Sequence, residues 1–176
     1  LKLIIRMLEN IADYLEVIGP VLEEGAMDLI SPLLQLRDKF LLGDVLKVCS
    51  VLMTHQKFAQ IFVDKGGLKQ ILKIPKKPYL IGGMPFPPFS LFETNSFFLG
   101  VGLCLRDLAQ LTTIMDRLCR STPYMEKIVE HCLLLLESSG NEVKKIGCIF
   151  FNAAFSYTVT VQLFDKNHGL KTLLST

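Results

Sequence analysis

Apolar residues recur at spacings of three and four along nearly the whole chain, and the recurrence has a repeated punctuation. After Gly25 come Ala26, Leu29 and Ile30; after Gly67 come Leu68, Ile71 and Leu72; after Gly169 come Leu170, Leu173 and Leu174. Such spacing lines one face of an α-helix. It predicts helices over about 2–18, 26–36, 40–52, 55–65, 67–74, 96–110, 111–120, 124–138, 141–164 (with a break near Asn152) and 169–175. Breaks are expected at 19-GP-20, Gly43, Gly66-Gly67, 121-STP-123 and 138-SSGN-141. Ser121-Thr122-Pro123 reads as a helix start, with proline in the first turn and a hydroxyl able to cap. Strand-like alternation is confined to 157-YTVTV-161, whose β-branched residues also fit a buried helix.

The phrase 58-FAQIFVDKGGLKQILKIP-75 nearly recurs as 161-VQLFDKNHGLKTLL-174. In both, one apolar run ends, a polar break closes on Gly, and a new apolar face begins. Glycine reverses the chain without steric cost and takes a left-handed cap conformation where one is needed. Gly25 and Gly67 stand 42 residues apart, inside the period of armadillo and HEAT units, and Gly67 and Gly169 stand 102 apart, which fits two units plus an insertion. One such unit cannot bury its own apolar face; stacking on neighbours does. The expected fold is all-α: a right-handed armadillo/HEAT-like solenoid of about four repeats, forming a single domain fragment over 1–176. The insertion is 75-PKKPYLIGGMPFPPFSLFETN-95, with five prolines and two adjacent glycines. A regular helix is not expected there, and its apolar load points to an ordered loop packed on the repeats.

At 176 residues with half of them hydrophobic, the chain can build a sizeable core and does not have a disordered composition. It opens on Leu1, already in a helical pattern, and is expected to be a segment of a longer protein. The net charge of +2 hides an asymmetry: residues 1–44 carry eight acids against four bases, and residues 45–77 carry seven lysines against Asp64 alone. Five cysteines, most inside apolar runs, read as reduced core thiols of an intracellular protein. The uncharged window 146–164 has the length of a membrane span, but Asn152, Ser156, Thr158, Thr160 and Gln162 dilute it, so no membrane association is expected.

Catalytic constellations are missing. Phosphoryl transfer needs a phosphate-cradling Gly-rich turn, a lysine and metal-binding carboxylates in order. The chain offers 100-GVG-102 without a third glycine, better explained by close helix packing. Cys119, His131 and Cys132 lack the paired spacing of a zinc site, and read as two core cysteines and a helix-surface histidine. His55 and His168 adjoin breaks, where they cap or face solvent. No cofactor is expected. What remains are surfaces. Lys65, Lys69, Lys73, Lys76 and Lys77 form a basic run suited to an acidic protein segment, against the plainer reading of a solvated helix edge. Phe86, Phe89 and Phe92 form a second candidate protein-binding cluster, or else anchor the loop. Nucleic acid is the weakest partner, because the basic run lacks interleaved exposed aromatics and the total charge is near neutral.

Three segments carry a family resemblance: 55-HQKFAQIFVDKGGLKQILKIP-75 and 150-FFNAAFSYTVTVQLFDKNHGLKTLLST-176 by phrase, 124-YMEKIVEHCLLLLESSG-140 by pattern. They resemble the Vpr-binding proteins, substrate receptors of cullin-4 RING ubiquitin ligases, over about two thirds of the chain. The stretch 76–96 departs from the family pattern in being expanded. The resemblance implies the N-terminal armadillo-like region of a much longer chain whose later LisH motif and propeller dimerise and bind the adaptor, damage-specific DNA-binding protein 1. It implies a non-catalytic scaffold in nucleus and cytoplasm that presents client or regulator proteins. It also brings a kinase-like activity described for this half of the family, which has no motif here. An armadillo adaptor of cytoskeletal or transport type, unrelated to ubiquitin, is the alternative.

Overall fold

The computed structural model describes residues 2–12, 14–36, 38–74, 88–138 and 140–175. Among these the chain forms helices and no strand: α1 (Lys2–Ala12), α2 (Leu15–Glu23), α3 (Ala26–Leu33), α4 (Lys39–Met53), α5 (Gln56–Asp64), α6 (Gly67–Ile71), α7 (Pro88–Ala109), α8 (Thr112–Cys119), α9 (Thr122–Leu136), α10 (Asn141–Ala154), α11 (Thr158–Lys166) and α12 (Gly169–Leu174). They fall into triplets with short corners. Helices α2 and α3 open at Leu15 and Ala26, and α5 and α6 open 41 residues later, at Gln56 and Gly67. Helices α10, α11 and α12 open 102 residues after α4, α5 and α6. The all-helical class is as expected from the spacing.

The corner between the second and third helix of a triplet is built alike three times. Its left-handed residue is Gly25 (φ 77°), Gly66 (φ 79°) or His168 (φ 56°), and the next residue opens the following helix. Those openers, Ala26, Gly67 and Gly169, are all buried. The glycine shared by the two phrases therefore does not reverse the chain, as the sequence pattern suggests; the residue before it does. Gly67 and Gly169 answer a different demand. A Cβ on Gly67 would lie 2.6 Å from the ring of Phe62, and one on Gly169 would run into the ring of Phe164. Each ring comes five residues earlier and occupies the space over the corner.

The chain divides into two compact units, Leu1–Cys104 and Leu105–Thr176. In the first, α4 packs on α1, α3 and α5, and its residues Val45, Leu46, Cys49 and Met53 are at most 2% exposed. The α7 backbone approaches α4 at Gly100, where a Cβ would sit 2.6 Å from Leu46 Cβ, and Cys104 Sγ donates to the Leu46 carbonyl at 3.4 Å. Gly100 is thus a packing glycine. Asp38 caps α4, its Oδ1 accepting from the backbone N–H groups of Phe40 (3.0 Å) and Leu41 (3.2 Å). In the second unit α9 is the central helix, packed by α8, α10, α11 and α12. Apolar residues all round it are consequently buried, and so is His131, at 2% exposure. The histidine expected on a helix surface lies in the core instead.

Several boundaries differ from the sequence expectation. The break expected at 19-GP-20 comes at Tyr14 instead, where the chain turns (ψ 116°), and Pro20 lies inside α2. Gly43 is buried within α4, where packing outweighs its low helix propensity. The stretch expected as helical over 141–164 with a break near Asn152 is α10 and α11, parted a few residues later, at 155–157. The window read as span-like is thereby split, and no single helix among the described residues is long and apolar enough to cross a membrane. Helix α7 starts at Pro88, inside the stretch expected as a loop, since proline is at home in a first helical turn. The rest of that stretch, 75–87, lies outside the described residues. At Ser121 the helix starts as expected with proline in its first turn, but without a side-chain cap bond.

Candidate functional site

Three of the five lysines of the basic run are placed by the α5–α6 corner. Lys65 ends α5, and Lys69 and Lys73, four residues apart, follow Gly67. All three are exposed. Lys65 turns back to α3, its Nζ 2.6 Å from Asp28 Oδ1, so its charge is partly answered within the unit. Next to it Gln70 Nε2 donates to Ser31 Oγ at 2.8 Å. These two bonds pin the α5–α6 corner to α3, leaving Lys69 and Lys73 as the outward pair.

Lys73 also borders a cleft of about 440 Å³ lined by Leu34, Gln35, Leu36, Leu42, Gln70 and Ile74. Its floor is apolar, from the buried Leu34 and Leu42, and its rim is polar. Gln70 Oε1 is buried there without a hydrogen-bond partner. An apolar floor edged by ammonium and amide groups can hold a short extended segment carrying carboxylates. This cleft is not visible in the chain, because Leu34–Leu42 and Gln70–Ile74 stand about thirty residues apart and meet only on folding.

Lys76, Lys77 and Phe86 lie outside the described residues. Phe89 and Phe92 belong to α7 rather than to a loop.

Titratable groups elsewhere behave as structural elements. Burial pushes the Cys49 thiol up to about 12, so it stays protonated. Cys104 and Cys132 are buried too, but Cys119 is half-buried and Cys148 is exposed, so the core-thiol expectation holds for three of five. Asp107 is raised from the ordinary carboxylate range by burial, against the opposing pull of Arg106, whose Nε and second guanidinium nitrogen lie 2.7 and 2.9 Å from its oxygens. Glu126 is lowered, and Lys166 raised, by the 2.7 Å bond between them, which ties α9 to α11. Among the described residues, no three His, Cys, Asp or Glu side chains are grouped to hold a metal ion.

Comparison with known proteins gives one family model and several relatives. Residues 1–81 match the Mahjong helical domain. The chain is 31% identical over 183 aligned residues, 99% of its length, to a protein of Arabidopsis thaliana named DDB1- and CUL4-associated factor homolog 1. It is 30% identical over 97% of its length to the Drosophila melanogaster protein mahjong, and 27% identical over 98% to the Caenorhabditis elegans DDB1- and CUL4-associated factor homolog 1. It spans 9% of the Arabidopsis protein, 10% of the Drosophila protein and 9% of the Caenorhabditis protein, about a tenth of these curated relatives. No solved structure matches.

Proposed function

This chain belongs to the family that carries the Mahjong helical domain, and from that premise we propose that it is a non-catalytic protein-interaction scaffold within a substrate receptor of a cullin-4 RING ubiquitin ligase. The observation that carries the reading is the match of nearly the whole chain to relatives named as DDB1- and CUL4-associated factors. The helix triplets support an armadillo/HEAT-like solenoid over 1–176, with 75–95 as the stretch that interrupts its repeats. In this reading the adaptor binds elsewhere in the parent chain, any dimerisation also runs through other regions, and the protein works in nucleus and cytoplasm.

The mechanism is presentation. A rigid helical stack holds a client or regulator protein near ligase machinery attached further along the polypeptide. The contact surface proposed is the outward Lys69–Lys73 pair with its neighbouring cleft, extended by Lys76 and Lys77, with Phe86, Phe89 and Phe92 as the apolar part. The fitting partner is an acidic protein segment with apolar side chains, bound by charge-assisted hydrogen bonds at the rim and apolar burial at the floor.

The test is a quantitative pull-down with three proteins: the intact parent chain, the parent chain lacking 1–176, and one with Lys69, Lys73, Lys76 and Lys77 changed to Glu. Proteins lost on deletion while the ligase adaptor stays bound support client recruitment, and their loss from the charge variant puts the contact on the basic run. An unchanged bound set after deletion ends the recruitment reading.

A further inference from the structure

The triplets provide an internal standard for which helix faces ought to be covered. Aligning the corners sets Leu170 and Leu174 of α12 opposite Leu68 and Leu72, 102 residues earlier. Leu68 is 2% and Leu72 8% exposed, whereas Leu170 is 60% and Leu174 79% exposed. The same alignment at the other end, 41 residues apart, sets Ile4, Met7 and Leu8 of α1 opposite Val45, Val48 and Cys49 of α4. Those three α4 residues are at most 4% exposed, while Ile4 is 57%, Met7 61% and Leu8 39% exposed. The alignment is sound, because Ile5 and Leu46, and Ala12 and Met53, are buried at both places. Identical positions are thus core in one triplet and open to solvent in another.

The packing also says what covers such positions. In each unit the helix that opens a triplet packs on the last helix of the triplet before: α4 on α3, and α10 on α9. First helices also pack on one another, as α1 does on α4. Beside the open α1 face lies an apolar groove of about 300 Å³, lined by Leu8, Ile11, Pro20, Val21 and Leu29 among others. Leaving this much leucine, isoleucine and methionine exposed on two short helices is unfavourable, since burying apolar surface is the main favourable term in packing. The relatives have about ten times the length of this chain from which to supply a cover.

We propose that the outer faces of α1 and α12 are stacking faces, each covered in the parent protein by a further helical triplet of the same kind and not by a client. At α12 the cover is the opening helix of such a triplet, with its apolar residues against Leu170 and Leu174. At α1 it is a first helix whose side chains fill the groove beside Leu8. The inference rests on the repeat reading alone and stands apart from any role in ubiquitin transfer.

Hydroxyl-radical footprinting of the purified parent chain tests it without a mutation. Divided by the intrinsic reactivity of each side-chain type, the oxidation rates of Met7, Leu8, Leu170 and Leu174 are expected to be as low as those of the buried Met27 and Leu68, at least tenfold below those of exposed Tyr14 and Phe155. Rates equal to those of Tyr14 and Phe155 would overturn the proposal. So would protection that disappears on dilution to monomer, which makes the cover a second copy, or protection that appears only after a client is added. The pull-down above can fail while this succeeds, and the reverse.

Discussion

The α5–α6 corner of the first unit and the α11–α12 corner of the second have the same geometry with different residues at the turning point. One turns on Gly66, the other on His168, a histidine at φ 56°. Both then place glycine under a phenylalanine ring. The comparison separates two requirements that a sequence pattern merges. Backbone conformation at the turn is a preference, which histidine can meet at a cost of about 1–2 kcal/mol. Space beneath the ring is a steric demand, and both corners meet it with glycine.

The largest effects are therefore expected at the second glycine. Gly67→Ala and Gly169→Ala should each destabilise by about 1–3 kcal/mol, the usual cost of overpacking, read as a fall in the urea midpoint. Phe62→Leu placed on Gly67→Ala should recover part of the loss, since the clash is with the ring; no recovery would break the steric account. At the turning residue the effects are smaller and opposite in sign. Gly66→Ala should cost about 1 kcal/mol. His168→Gly should stabilise by at most about 1 kcal/mol, the released strain less the greater chain entropy of glycine.

A third difference is electrostatic. Among the described residues, only the second unit buries a carboxylate, Asp107. Its folded value lies above the ordinary one, so the folded state binds its proton more tightly. Its contribution to stability grows as pH falls from neutral toward the ordinary carboxylate range, and is lost as pH rises through the raised value. The urea midpoint of Asp107→Asn should lack that component, seen as a wild-type-minus-variant difference that changes between pH 7 and pH 4. The smallest effect sharpens the one feature the units share. Asp28–Lys65 and Glu126–Lys166 each tie the end of one triplet's second helix to the last helix of the triplet before. Both are exposed pairs, and Glu126→Gln should shift the midpoint barely beyond error. What it removes at Glu126 is stability present above the ordinary carboxylate value and lost as pH falls through the lowered one.

Much of the fold was legible because helix spacing and the Gly-Leu phrase are local. Helices α5, α8 and α12 came within a residue or two of their observed limits. The misreadings share a cause. Pro20 and Gly43 look like breaks in one dimension, yet neighbouring helices hold them inside regular turns. His131 looks like a surface residue until α9 proves to have neighbours on every side. Cys148 looks like core from 147-GCIFF-151, but α10 turns it outward. The candidate site was half visible: the lysines can be counted in the chain, while the cleft beside Lys73 depends on two segments that meet only on folding.

The ring-over-glycine corner also bears on time. Phe62 and Gly67, like Phe164 and Gly169, are five residues apart, and loops of about ten residues close in roughly 10–100 ns. Each corner can therefore close before any helix of another triplet arrives, with very little chain entropy lost. Such contacts lower the contact order of the whole array and favour fast folding from several local starting points. A newly made polypeptide of this kind can organise corner by corner as it lengthens, without waiting for its far end.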